Sequence, residues 1–535
     1  MKSHCFPFRQ IPHSTRIFLD YLEHTPSVQP FYPRSAFFLQ WAKEESALVQ
    51  YPADRRERMA GILERQNKSF GASSKTLEKI AAFRVGALAV VTGQQVGLFG
   101  GSVFSIYKAL TAVKFAREAK KLGIECVPVF WLATEDHDLE EANQVHIPGA
   151  EGEPEKLVSS AHDGEDAPVG TIRFGPEISE LSARAKELLG ENDIYTLLAE
   201  CYRPDESFGT AFAKLFARLF ADFGVIVLDS SDPELDAIAA PLYRDVIERL
   251  PELNRALLQR DRELQAAEYH QQVRITNTST PLFLMRKGAR IPLHMNSADQ
   301  FQAGGLPLSR AELLQLADSA PQSFSPSVLL RPVMQDYLLP TLAYVGGAAE
   351  IAYFAQVATL YTALAGRVTP ILPRFSGTLI DAKPQALLEK YGLGFSDLFH
   401  GVDSLKAKIG ASLLDTTLQA SFHQARASVE RAMSSVRESL EQLDKTLVEA
   451  AQNAEAKMLH QLESLRARAA RAEMRQSEVA ERHARLLSSA LYPEKTLQER
   501  EYAGVYFLAK HGRELLQGLL EVINPDCVDH QLVTL

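Results

Sequence analysis

The row ALAVVTGQQVGLFGGS, residues 87–102, decides the fold of this chain. Ala87 to Thr92 is a short apolar run with β-branched residues, the pattern of a buried strand. It opens into the turn Gly93-Gln-Gln-Val-Gly-Leu-Phe-Gly-Gly101. From Ser102 to Lys121 apolar residues recur at Val103, Ile106, Tyr107, Leu110, Val113 and Phe115, which is roughly helical spacing. Ser102 is the expected N-cap and Gly123 the expected stop. Val127–Ala133 reads as a second buried strand. Strand, Gly-rich turn, helix and strand make a βαβ unit, which implies a parallel sheet.

Outward from this unit the alternation is interrupted twice. Residues 1–141 hold an N-terminal region of helices and turns and the first half of the core. Residues 142–222 read as an insertion with helix-like runs near 177–200 and 208–222. The core resumes over 223–250, where Gly224–Asp229 is a strand and Ser230, Ser231, Asp232 and Pro233 announce a helix. Residues 251–327 are a second insertion whose stretch 270–310 has the look of short antiparallel strands. The second half of the core, 328–390, begins with Val328-Leu-Leu-Arg331, read as a strand ending at Arg331. A Gly-Gly turn plus helix follows over 342–365. Pro370 and Pro373 place the next strand at an edge.

Ala411 to Leu491 contains neither Gly nor Pro. Apolar residues at Val429, Met433, Val436, Leu440, Leu443, Leu447, Ala450 and Ala454 keep 4,3 spacing, and the register slips before Met458, Leu462 and Leu465. That is a coiled-coil seam with a stutter. It assigns 391–491 to an α-helical coiled-coil domain, a hairpin or arm that also dimerises, with 492–535 packing back. The fold class is therefore α/β, a Rossmann-like parallel-sheet core with two insertions and a coiled-coil domain.

The chain has 535 residues, 46% of them hydrophobic, and a formal net charge of -10. An acidic balance argues against a dedicated nucleic-acid binder. No apolar run approaches the ~20 residues of a membrane span, and residues 1–10 lack a signal-type apolar core, so a cytoplasmic protein is expected. Cys5, Cys126, Cys201 and Cys527 are scattered, without a CxxC pair. They predict reduced thiols and neither a disulfide framework nor a metal site.

Four constellations carry chemistry. The turn from Gly93 through Gln94, Gln95, Gly97, Gly100 and Gly101 lies between a strand and a helix N-terminus, which suits a phosphate or carboxylate; Lys108 lies two turns further on. A tight structural turn is the alternative. Glu135-Asp136-His137-Asp138 follows the second strand at its carboxyl end, where open parallel sheets bind ligands. Such a cluster could act as general base, hold an ammonium group or hold a divalent cation, with a solvated acidic cap as the alternative. Arg331 and Gln335, with Gly346, Gly347 and Glu350, form a third group, in which Arg331 could clamp a carboxylate or phosphate. Arg374 and Ser376 are the fourth. Together they put polar residues at one end of several strands.

The rows TGQQVGLFGGSVFSIYKALTAVKFA (92–116), PVFWLATEDHDLEEANQV (128–145), LLRPVMQDYLLPTLAYVGGAAEIAYFAQ (329–356), LPRFSGTL (372–379) and TLQEREYAGVYFLAKHG (496–512) resemble bacillithiol synthase, the cysteine-adding BshC family of bacillithiol biosynthesis. The likeness spans nearly the whole chain, with departures at Ser102, where a Pro is expected, and at Ala348-Ala349. It implies a Rossmann-like core with two connecting peptides and a coiled coil that dimerises. It also implies a cysteine ligase that joins L-cysteine to glucosaminyl-malate by an amide bond. The expected cofactor is ATP or ADP with Mg. On this reading the turn 93–101 holds an anion, Asp136 and Asp138 the substrate ammonium, and Arg331 and Arg374 the malate carboxylates, while His137 relays a proton. Another nucleotide-dependent carboxylate–amine ligase or nucleotidyltransferase is the alternative, and a non-enzymatic scaffold a more distant one.

Overall fold

In the computed structural model, which describes residues 1–149, 152–163, 166–475 and 477–535, the apolar run of the opening row becomes the strand Leu88–Gln94, buried along most of its length. It is the middle of a five-stranded sheet. In order across the sheet the strands are Ile371–Pro373, Thr341–Gly346, Leu88–Gln94, Cys126–Leu132 and Ile226–Asp229. Every pairing is parallel. Strands covered on both faces are apolar throughout, as parallel sheets require. On one face, Ala112, Phe115 and Ala116 of the helix Phe104–Lys121 join Val90, Leu342, Val345 and Leu372 in one buried cluster.

The strand order has a consequence for ligands. From Leu88–Gln94 the chain moves to one side, through Cys126–Leu132 to Ile226–Asp229. It then returns to the other side as Thr341–Gly346 and Ile371–Pro373. Connections leaving in opposite directions open a crevice at the carboxyl ends of Leu88–Gln94 and Thr341–Gly346.

Several expectations change in detail. Ser102 is not the helix cap; Val103 occupies that position and the Ser102 hydroxyl donates to the Arg500 carbonyl at 2.8 Å. Gly123 does stop the helix, at φ +80°. Val328–Leu330 is not a strand. Arg331 opens the helix Arg331–Leu338, with Pro332 in its first turn, and the core strand is the following Thr341–Gly346. An X-Pro step at a helix start is the favoured arrangement, because the missing N–H would be unbonded there anyway.

The first insertion holds a hairpin, Gln144–Pro148 with Pro154–Val158, and three helices rather than two. Asn192 caps the second of them by accepting the N–H groups of Ile194 and Tyr195, both at 3.0 Å. The third, Phe208–Leu219, lies on the core sheet, with Phe216 4.8 Å from Phe130 between ring centres. The helix Pro233–Ala266 passes through Pro241 and Pro251 without a break, so core and second insertion share one element. Beyond it, Ser279–Arg286, Ala289–Ser297, Gln300–Ala303, Leu306–Ser309 and Phe324–Pro326 form the expected antiparallel sheet.

The expectation of four separate thiols fails for one pair. Cys5 and Cys527, 522 positions apart, are bonded to each other, while Cys126 and Cys201 are free and buried. Sequence spacing could not show this, because the strands Lys2–Phe6 and His530–Thr534 meet only in the folded chain.

Contacts divide the chain into two compact units. The larger contains most of residues 1–378 together with 499–533, and the smaller is built on 379–498. In the smaller unit Thr416–Leu443 and Leu447–Arg475 form a helical hairpin, joined across by an Arg437–Glu455 ion pair at 3.3 Å. The continuous seam expected through 444–446 is interrupted. Asp444 is extended, and its carboxylate accepts the Thr446 N–H at 2.9 Å. This side-chain cap makes a turn without Gly or Pro. No helix of the described residues is long and apolar enough to cross a membrane.

Candidate active site

The crevice at the switch point is a cavity of about 310 Å³. The strand end Gly93-Gln94-Gln95 forms one wall and Gly347 to Glu350 the wall opposite. Both walls depend on missing side chains. A Cβ on Gly93 would stand 2.9 Å from the Trp131 carbonyl oxygen, and one on Gly346 2.9 Å from the side chains of Glu350 and Ile371. Glycine therefore permits the strands to close up just beneath the cavity floor.

Lys108 crosses the floor. It is 3% exposed, donates to the Gly93 carbonyl at 2.7 Å and to Gln94 Oε1 at 3.0 Å, and pairs with Glu350. Glu350 also accepts the Tyr344 hydroxyl at 2.6 Å and the Gly347 N–H at 2.8 Å. Burial alone would raise its carboxyl, but Lys108 and the Gly347 N–H outweigh burial and hold it below the ordinary range. Burial lowers the Lys108 ammonium despite Glu350 beside it. This pair is a closed unit that fixes the turn.

Three arginines line the same cavity: Arg331, Arg374 and Arg500. Arg374 is occupied by the buried Glu499 at 2.6 Å. Arg331 donates to the Tyr353 hydroxyl at 2.8 Å and to Gln335 Oε1 at 3.4 Å. Among the described residues neither Arg331 nor Arg500 has a carboxylate within ion-pair distance. Burial, and then the charge of Arg374, lower the Arg500 guanidinium below its ordinary value. Arg331 is half-buried and Arg500 exposed, and the carboxylates of Asp136, Glu141 and Glu350 line the cavity with them, so its walls carry both signs of charge.

Facing them is the strand-end cluster. Asp136 Oδ2 accepts the Gln95 amide at 2.8 Å and Asp136 Oδ1 the His137 N–H at 2.8 Å. Asp136 lines this cavity and a second one of about 400 Å³ that shares Trp131, Ala133, Val328 and Arg331 with it. Glu135 lines the second cavity. Burial pushes its carboxyl up to about 7 even though the Ser325 hydroxyl donates to it at 2.8 Å. Behind it Asp236, bonded to the Tyr243 hydroxyl at 2.8 Å, is raised by burial and then by the charge of Glu135.

His137 Nδ1 stands 3.2 Å from Arg290 Nη1. A guanidinium can only donate, so Nδ1 accepts and the ring proton sits on Nε2. Asp138 acts locally instead. Its carboxylate accepts the Glu141 N–H at 3.1 Å and caps the short helix Leu139–Ala142.

The structure thus brings Gly93, Gln94, Gln95, Lys108, Asp136, Arg331, Gly347, Glu350 and Arg374 to one cavity and Glu135 to its neighbour. Others stand apart. The Gly100 N–H donates to the Tyr202 hydroxyl at 3.0 Å, which donates to the Gly97 carbonyl at 3.2 Å. Gly101 accepts the Gly504 N–H at 3.1 Å, and Val103 N–H bonds the Tyr502 carbonyl at 2.8 Å. The C-terminal segment therefore covers the helix start expected to hold an anion. Ser376 is buried against Glu499 at 3.0 Å and His530 at 2.7 Å. Gln335 is buried behind Arg331 and Gly346 beneath the turn. Arg290, Tyr353 and Arg500 were not singled out from the sequence. Tyr353 and Arg500 had a signal there, inside the rows 329–356 and 496–512, and Arg290 had none.

Fold and site define a class, the Rossmann-like α/β proteins with a charged cavity at the switch point of the sheet and a helical domain appended. Within that class the chain belongs to the BshC family. Residues 1–375 match the family domain described as "Bacillithiol biosynthesis BshC, N-terminal Rossmann-like domain", and residues 377–535 the "Bacillithiol biosynthesis BshC, C-terminal coiled-coil domain". Relatives named "Putative cysteine ligase BshC" include one from Koribacter versatilis, 44% identical over 99% of both chains. Another, from Solibacter usitatus, is 37% identical over 99% of both. One from Salinibacter ruber is 32% identical over 97% of this chain and 96% of its own.

Proposed function

We propose that this chain is a carbon–nitrogen ligase that joins the carboxylate of L-cysteine to the amine of glucosaminyl-malate, completing bacillithiol. Family membership and the relatives' printed name support the reaction class. The observation that carries the reading is the placing of Arg331 and Arg500, neither of them ion-paired among the described residues, with the strand-end carboxylates Asp136 and Glu135 in adjoining cavities. A dicarboxylate such as malate suits two guanidinium groups. Asp136 suits the cysteine ammonium.

Amide formation from a free carboxylate is uphill near neutral pH, so the carboxyl must be activated. ATP, with Mg, would supply that activation by phosphoryl or adenylyl transfer when bound; with Arg331 and Arg500 given to malate and Lys108 closed off by Gly93, Gln94 and Glu350, the residues of this cavity do not also fit its phosphates. The sugar amine must be neutral to attack. As the C–N bond forms, an amine proton passes to a base, and Glu135, with its raised carboxyl, is better suited than His137, whose free ring nitrogen carries a proton.

The test is incubation of the purified protein with cysteine, glucosaminyl-malate, ATP and magnesium, followed by mass spectrometry. Bacillithiol that requires ATP, with AMP or ADP released, is the expected result. Equal turnover of serine in place of cysteine would favour a general carboxylate–amine ligase. No product from any of these would remove the reading.

A further inference from the structure

Arg290 belongs to neither the core sheet nor any motif at a strand end. It lies on the strand Ala289–Ser297 of the inserted antiparallel sheet, and it is 9% exposed. Its guanidinium stacks on Phe283, 4.0 Å from the ring centre. Each of its three nitrogens has an acceptor. Nε donates to Ser325 Oγ at 3.0 Å, Nη2 to the Pro326 carbonyl at 2.7 Å and Nη1 to His137 Nδ1 at 3.2 Å. Ser325 is also on the inserted sheet, in Phe324–Pro326, and is fully buried. With Arg290 donating to its oxygen, its own proton is committed to Glu135 Oε2, at 2.8 Å. One neutral relay therefore leaves this buried cation, through Ser325 to Glu135, while His137 Nδ1 only accepts from it.

We infer that Arg290 and Ser325 are positioning residues for the Glu135 carboxyl, so that the inserted sheet, and not only the core, sets the proton acceptor of the site. The inference rests on the proposed ligase reading for its kinetic meaning. A directed hydroxyl donor favours the charged form of a carboxylate. A cation one hydroxyl away adds to this without forming an ion pair that would quench the base. The other groups facing Glu135 oppose it: Asp229 from the strand Ile226–Asp229, and Asp236 and Tyr243 from the helix Pro233–Ala266. The same cation fixes the His137 tautomer, which a purely structural arginine would not need to do.

The test is Ser325→Ala, which deletes one hydroxyl and changes little volume, made alone and together with Glu135→Gln. Two readouts are compared. The first is the pH profile of kcat/KM for amide formation. Ser325→Ala shifts its acid limb upward by about one pH unit, with KM on the plateau unchanged. The second is the pH dependence of the melting temperature, which needs no activity. Ser325→Ala steepens the loss of stability as pH rises, and the steepening vanishes in the Glu135→Gln background. A rate lowered equally at every pH, or a steepening that persists without Glu135, overturns the inference. If the wild-type chain forms no amide product, the ligase reading falls and the stability readout alone decides this one.

Discussion

Lys108 and Glu350 are opposite charges buried under the cavity, and each has been taken out of water for the other. Removing one partner strands the other, which costs about 3–5 kcal/mol. Lys108→Met and Glu350→Gln should each lower the unfolding free energy by that order in denaturant titrations, and the double variant should lose less than the sum. Additive losses would show that the pair is not coupled. Glu135 makes a prediction of opposite sign. Its folded-state carboxyl lies above the unfolded value, so the native chain binds the extra proton and its stability declines as pH rises from about 4.5 towards the folded value of about 7. Glu135→Gln should match wild type at pH 4.5 and be more stable at pH 8, by roughly 3 kcal/mol, read as melting temperature across pH. The residues legible in sequence were those that directly end a strand, such as Gly93 to Gln95 and Glu135-Asp136. Arg290 reaches the site from a different sheet, and no local pattern announces that.

At the scale of elements, periodicity identified the strand–turn–helix–strand unit to within about two residues, because both strands are apolar throughout and the helix keeps one spacing. It failed at Val328-Leu-Leu, where three apolar residues cannot distinguish a strand from a turn leading into a helix. Pro332 was the better signal. It failed again at Asp444, where the coiled-coil spacing runs on through a turn that a side chain closes. Asp444→Ala should remove that closure and cost about 1 kcal/mol, seen as faster hydrogen exchange at Thr446 and in the first turn of Leu447–Arg475. Unchanged exchange would mean that helix packing alone holds the turn.

For the whole molecule, the helical hairpin leaves Val436, Leu443, Met458 and Leu465 exposed. We propose that a second copy covers them. Sedimentation equilibrium should find a dimer that Leu443→Lys with Leu465→Lys converts to monomer; a wild-type monomer at micromolar concentration would contradict it. The larger unit holds the cavity, and its boundaries take in residues as far apart as Gly93 and Arg500. That explains why the sequence likeness extends to the C-terminus: the last segment supplies a cavity wall as well as a cap on the turn. The most direct test of the account is amide formation from cysteine and glucosaminyl-malate by a variant carrying Asp136→Asn and Arg331→Met, first shown to melt as wild type does. The account predicts a loss of at least ~100-fold in kcat/KM, about 2.7 kcal/mol of transition-state stabilisation. Undiminished turnover by that variant would place the chemistry elsewhere on the molecule.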